Sequence, residues 1–222
     1  MRSALVLLSA TLALGCSQSA PPAGDAKPVT TQAAATPRPA AKAEVDKPAP
    51  DFMLKDYEGK AHKLSDLKGK TVVLEWFDPD CPYVKAAHNK GSLKDLARRM
   101  SQKGVVWLAV NSGAPGKQGH APERVAAGKQ AFGMEHPVLV DESGAVGRLY
   151  GATNTPHMYV IDDKGVLVYR GAIDNSPDGE GESPTGGKLE NHVETALTEV
   201  LAGKPVTTKD TRAYGCSVKY GS

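Results

Sequence analysis

The chain has 222 residues, enough for one domain with attached segments but short of two full ones. With 40% apolar residues, wholesale disorder is excluded, and a net charge of +2 from 27 basic and 25 acidic residues, without a basic block, gives no electrostatic reason to bind nucleic acid. Cysteines stand only at 16, 81 and 216, which excludes a disulfide-dense scaffold and an all-cysteine zinc site and leaves room for one internal disulfide at most.

Met1-Arg2-Ser3 places one positive charge ahead of an apolar run from Ala4 to Leu14, too short for a permanent span and typical of a secretory signal. Gly15 directly before Cys16 resembles a bacterial lipobox, which predicts a signal over 1–15, cleavage before Cys16 and a lipid on its thiol, with an ordinary signal peptide as the alternative. Residues 17–50 hold ten Ala and seven Pro and almost nothing to build a core. That composition predicts an extended tether over 16–46, with a reach approaching ~100 Å. The expected globular domain spans 47–203, and a tail carrying Cys216 spans 204–222.

Inside the domain, strands and helices alternate. A short entry hairpin is predicted around Glu58-Gly59, joining 51–54 to 60–64, and Thr71 to Phe77 reads as a buried strand. A helix is expected from Pro82 to about Gln102, broken at Gly91; then a strand over 105–110, a helix over 122–132, a strand over 137–141 and a short helix over 145–150. Met158 to Asp162 and Val166 to Arg170 form a hairpin, and Leu189 to Leu201 carries Leu189, Val193, Leu197 and Val200 on one helical face. Strand-helix-strand followed by a hairpin and a last helix predicts an α/β domain, a mixed central sheet flanked by helices on both faces. Trp76, Phe77 and Trp107 read as core, and the Gly-rich stretch 178–187 as a flexible loop, since acids and the lack of a following Lys-Ser/Thr argue against a phosphate cradle.

The chemistry concentrates in the turn Phe77-Asp78-Pro79-Asp80-Cys81-Pro82, which carries a cysteine from a strand end to the first turn of a helix. Free N–H groups and the helix dipole there favour a thiolate, the nucleophilic form. Asp78 and Asp80 oppose this, since nearby negative charge raises a thiol pKa.

Strand, turn, Cys81-Pro82, helix, and then Thr155-Pro156 before another strand resemble the thioredoxin superfamily, in which a cis-proline faces the active cysteine. Pro48-Ala49-Pro50-Asp51-Phe52, Gly69-Lys70, Asp141-Glu142-Ser143-Gly144, Tyr150-Gly151 and Val160-Ile161-Asp162 resemble the redoxin branch, and the tail Gly215-Cys216-Ser217-Val218-Lys219-Tyr220 resembles that of its peroxiredoxin-like bacterial subgroup. The resemblance covers about 47–205. It implies a thioredoxin-like three-layer sandwich, no cofactor, and redox chemistry at Cys81. Two departures limit the transfer: Val84 stands where the second cysteine of a Cys-x-x-Cys pair belongs, and the peroxiredoxin pattern with its deeper cysteine is missing.

Cys216 then becomes the candidate partner, with the polar stretch 204–213 acting as a second tether that lets it swing to Cys81. A redox-cycling pair, a structural staple and two unpaired thiols all stay open; a staple across that separation contributes about 5 kcal/mol at most. Glu75, six residues before Cys81, has the spacing of the buried acid beneath a thioredoxin site. Desolvated there, it would have a raised pKa and accept a thiol proton; the alternative is a solvated edge residue. Thr155 and Pro156 are expected to present backbone groups to a substrate or mixed disulfide. His157 and His88 are the histidines placed to approach the thiol or to join it around a soft metal such as copper, although a structural role is the commoner one for any single histidine.

The leading expectation is an extracytoplasmic thiol-disulfide oxidoreductase, lipid-anchored on the periplasmic side of a bacterial membrane, with Cys81 as nucleophile and Cys216 resolving. Its partners would be a protein or small-molecule disulfide and a thiol reductant. A thiol peroxidase, in which a hydroperoxide oxidises Cys81 to a sulfenic acid captured by Cys216, is the second reading. A non-enzymatic copper or partner-binding module is the third.

Overall fold

The computed structural model describes residues 41–222. The entry hairpin is β1 (Met53–Asp56) and β2 (Ala61–Lys63). The run of Val, Leu and aromatic residues after Thr71 forms β3 (Val72–Trp76), buried at every position because both faces of the sheet are covered. Then follow α1 (Pro82–Asn89), α2 (Leu96–Ser101), β4 (Val106–Asn111), α3 (Pro122–Ala131), β5 (Val138–Val140) and α4 (Ala145–Tyr150). The remaining elements are β6 (Asn154–Thr155), β7 (His157–Ile161), β8 (Leu167–Gly171), α5 (His192–Leu201) and β9 (Cys216–Ser217).

Seven strands make one mixed sheet in the order β2-β1-β5-β4-β3-β7-β8, and β6 pairs with β9 apart from it. The centre is β3, parallel to β4 from Val72↔Val106 to Trp76↔Val110 and antiparallel to β7 from Val72↔Ile161 to Trp76↔His157. Strand alternation splits the core. Val72, Leu74 and Trp76 pack with Tyr150 and Tyr159 on one face, while Val73 packs with Ala87, Leu96, Met100 and Leu197 on the other. A third cluster joins Phe77, Cys81, Val84, Val125 and Met134 at the carboxyl end of β3. Trp76, Phe77 and Trp107 are core residues, as expected.

Three differences from the sequence expectations, and one expected break, have physical causes. The packed body begins before Lys47: Ala43 is buried and donates its N–H to the Leu149 carbonyl at 3.0 Å. The helical stretch from Pro82 breaks at Gly91 as expected: the carbonyl of Gly179 lies 2.1 Å from where a Cβ on Gly91 would sit, and the loop it belongs to packs into the break. Helix α5 starts at His192, three residues past Leu189, because the Asn191 side chain accepts from the Glu194 N–H at 2.9 Å and caps it there. The Gly-rich stretch is an ordered turn: the Asp178 carboxylate accepts from the N–H groups of Glu180, Gly181 and Glu182, and burial notwithstanding those bonds bring its pKa down to about 2. The expected signal, the lipid site at Cys16 and most of the tether lie outside the described residues. Among those described, no helix is long and apolar enough to cross a membrane.

Candidate active site

After β3 the chain turns through Asp78, whose carbonyl accepts the Cys81 N–H at 3.1 Å, and Pro82 opens α1 with Cys81 as its N-cap. Cys81 is fully buried. Its Sγ lies 3.1 Å from the carbonyl oxygen of Thr155, directly before the cis Thr155–Pro156 peptide bond. Thr155 also belongs to β6, whose antiparallel partner opposite it is Cys216. The pairing brings the two sulfurs to 2.7 Å. Cys81, Cys216, Thr155 and Pro156 thus form one site across a sequence separation of 135. Val84, buried on α1, packs in the same cluster.

The tail is not the free tether that its polarity suggested. Thr211 donates its N–H to the Arg170 carbonyl at 3.0 Å, and the Tyr214 hydroxyl donates to Asp174 at 2.8 Å. Beyond Cys216, the N–H of Val218 reaches the Thr153 carbonyl, Ala114 donates to the Lys219 carbonyl, and the Tyr220 hydroxyl donates to the Ala152 carbonyl. The Arg148 guanidinium stacks 4.7 Å over the Tyr220 ring. Cys216 is held from both sides, so it needs no swing to meet Cys81.

Gly215 makes that approach possible. Its φ of +109° is open to glycine, and a Cβ there would stand 2.4 Å from the Thr155 carbonyl oxygen. Gly215→Ala is expected to cost the docked tail about 1–3 kcal/mol while sparing the body. The measurement is iodoacetamide alkylation of Cys81, which should accelerate roughly ten- to a hundredfold with little change in the melting temperature.

Charge separates the two thiols. Burial, then the adjoining Cys81 sulfur and Asp78, push the Cys216 thiol up to about 12 against the pull of Lys219. Asp80 is ion-paired: Arg124 binds it through two nitrogens and, with Lys85, holds its carboxyl low. Asp78, whose burial sequence reading missed, has its pKa raised chiefly by that burial, although the Asp80 N–H and Gln118 bond its carboxylate at 2.8 and 3.1 Å.

Glu75 is fully buried, which rules out the edge-facing alternative. The expected rise in its pKa does not occur. Burial pushes it upward, but His88 at 2.7 Å and the Trp107 indole N–H at 2.9 Å overcome that and hold it below the ordinary value. A carboxylate so engaged is a poorer proton acceptor than a raised one. His88 is turned to Glu75, with its ring stacked on Phe132, and His157 lies against Tyr159 with Nδ1 accepting the Thr153 N–H at 3.3 Å. Neither joins the sulfurs, and among the described residues no three His, Cys, Asp or Glu side chains converge as a metal site. The copper-binding arrangement drawn from sequence is therefore not formed. His88 was named from the sequence as a neighbour of the thiol; its pairing with Glu75 instead was signalled by its place four residues after Val84, on the buried face of α1.

Burial lowers the His157 pKa from 6.5 to about 4, so the imidazole is neutral near pH 7. The unfolded chain takes up that proton first, so stability is full above about pH 6.5 and falls as pH drops towards 4, by up to about 3 kcal/mol. Urea midpoints measured across that range should decline for the wild type and decline less for His157→Asn.

A mixed sheet covered on both faces, with a buried cysteine at the end of its central strand facing a cis-proline loop, defines a thioredoxin-like fold with a dithiol site. The chain belongs to the redoxin family, whose profile matches residues 44–187. An uncharacterized conserved protein from Geobacillus kaustophilus shares this fold with a TM-score of 0.70 and 31% identity, over 84% of this chain and 98% of that one. A hypothetical protein from Sinorhizobium meliloti gives 0.69 and 28%, over 82% and 98%. The thiol-disulfide oxidoreductase ResA of Geobacillus thermodenitrificans is 32% identical over 117 residues, 53% of this chain and 63% of that protein. The thioredoxin-like protein YneN of Bacillus subtilis is 29% identical over 119 residues, 54% and 66% respectively. The chain thus spans somewhat under two thirds of the first of these curated relatives.

Proposed function

We propose that the protein is a thiol-disulfide oxidoreductase that works through Cys81 and Cys216. The observation that carries this reading is the contact of the two sulfurs, 2.7 Å apart beside the Thr155 carbonyl. The Cys81 thiolate attacks one sulfur of a substrate disulfide, forming a mixed disulfide and releasing the other substrate sulfur as a thiolate. Cys216 then gives up its proton to the released substrate thiolate, directly or through water, and attacks the Cys81 sulfur, expelling the second substrate thiolate and leaving a Cys81–Cys216 disulfide. An external dithiol returns the pair to its reduced form. Glu75 serves as a positioning residue, tying α1 to β3 and β4 through His88 and Trp107. Thr155 and Pro156 shape the backbone that meets both sulfurs.

The leader and Cys16 support a lipid-anchored, extracytoplasmic setting, in which a thiol pair can be oxidised. The name ResA, borne by relatives of similar length of match, supports disulfides as substrates and thiols as reductants.

The test is a single turnover with a chromogenic aromatic disulfide. Reduced protein should release both aromatic thiolates per chain and keep no label, because Cys216 displaces the second one. A label that stays on Cys81 removes the resolving role, and no release at all removes the oxidoreductase reading. Consumption of hydrogen peroxide by Cys81 much faster than by an unfolded cysteine peptide, without disulfide exchange, would support the peroxidase instead.

A further inference from the structure

We infer that the oxidised protein is entered through Cys216: the reducing thiol bonds to the Cys216 sulfur, and Cys81 is the leaving group. This rests on the Cys81–Cys216 pairing proposed above and fixes the order of events within it.

Exposure is the first observation. Cys81 is fully buried, packed among Phe77, Val84, Val125 and Met134, whereas Cys216 is partly exposed. Displacement at sulfur needs the nucleophile in line with the breaking bond, opposite the leaving sulfur. Cys81 has no exposed surface at which such a nucleophile could arrive, whereas Cys216 has some. Because the sulfurs already touch, joining them leaves each burial as it stands.

The groove beside the tail is the second. A cavity of about 570 Å³, lined by Asn154, Asn175, His192, Arg212, Tyr214 and Gly215 among others, ends at Gly215, the residue preceding Cys216, and includes neither sulfur. It has room for a peptide-like thiol on the Cys216 side. The pinned tail is the third: with Tyr214 bonded to Asp174 and Tyr220 to Ala152, oxidation locks the covering segment over Cys81. In the reduced protein no covalent bond holds it, and the tail can lift to let Cys81 meet a disulfide.

In the step itself, the sulfur of an external dithiol in its thiolate form bonds to Cys216 Sγ. The Cys81–Cys216 bond breaks, and its electron pair leaves on Cys81 Sγ, beside the N-terminus of α1 where a thiolate is favoured. The second thiolate of the reductant then attacks the reductant's own sulfur in the mixed disulfide and expels Cys216, which takes a proton. The protein gains two electrons, and the reductant departs as a disulfide.

Sulfite tests this, because it marks the sulfur it attacks as a stable S-sulfonate and frees the other as a thiol. The full-length protein is oxidised, its disulfide verified by peptide mass, treated with sulfite, alkylated with iodoacetamide and mapped. Sulfonate on Cys216 in roughly tenfold excess over Cys81, with the ratio collapsing in guanidinium, is the expected result. Sulfonate mainly on Cys81, an even split in the native protein, or no reaction until guanidinium is added overturns the inference while the pairing stands. Absence of the disulfide after oxidation overturns the pairing itself, and with it this order of attack.

Discussion

Cys81→Ser is expected to lower the rate of disulfide exchange by at least about three orders of magnitude, because a serine hydroxyl is not ionised at neutral pH and cannot form the mixed disulfide. Folding should survive, since the smaller oxygen fills nearly the same buried space and still donates to the Thr155 carbonyl that Cys81 faces at 3.1 Å. Cys216→Ser separates the two roles. It should retain the first attack and halt with one substrate sulfur on Cys81. Stopped-flow measurement of the chromophore released from an aromatic disulfide distinguishes them: none in the first variant, one equivalent in the second and two in the wild type. Equal activity in Cys81→Ser and the wild type would contradict the assignment of the nucleophile.

Glu75→Ala should be the most damaging change to stability, at about 3–5 kcal/mol. It removes the acceptor for both His88 and the Trp107 indole N–H, and it leaves a cavity in the sheet beside α1. Glu75→Gln keeps the shape and an oxygen acceptor and should cost far less. Burial pushes the Glu75 pKa up but His88 and Trp107 hold it down, so its contribution is present above the unfolded value near 4.3 and lost as pH falls through the lower folded value. Urea unfolding at pH 7 and at pH 3 measures both effects: the gap between wild type and Glu75→Gln should narrow at the lower pH. A positioning role adds a kinetic mark. Glu75→Gln should leave the pH profile of exchange in place, whereas loss of a proton acceptor would move it.

How much of this was legible in the sequence depended on the distance over which each feature is built. The turn from Phe77 to Pro82 and the Thr155-Pro156 pair are local signals, and the structure brings them together as the resemblance implied. The sheet followed from runs such as Val72–Trp76, long enough to show their pattern. Strands β6 and β9 have two residues each, below the length at which alternation exists, and their pairing joins positions far apart in sequence. The tail looked like a tether because Lys204 to Ala213 is polar. What pins it are single hydroxyls and backbone groups, Tyr214 on Asp174 and Val218 on Thr153, which leave no periodic trace. Glu75 was singled out correctly as an acid interrupting an apolar strand, but its pKa is governed by His88 and Trp107, 13 and 32 residues away. Those partners decide the sign of the shift.

The central claim is that Cys81 and Cys216 are one redox couple. Intact mass and peptide mapping after rapid alkylation, across a series of glutathione poises, tests it most directly. The prediction is a single two-electron transition in which both residues lose and regain their thiols together, with the Cys81–Cys216 peptide pair recovered on the oxidised side. Two alkylated thiols at every poise would contradict it.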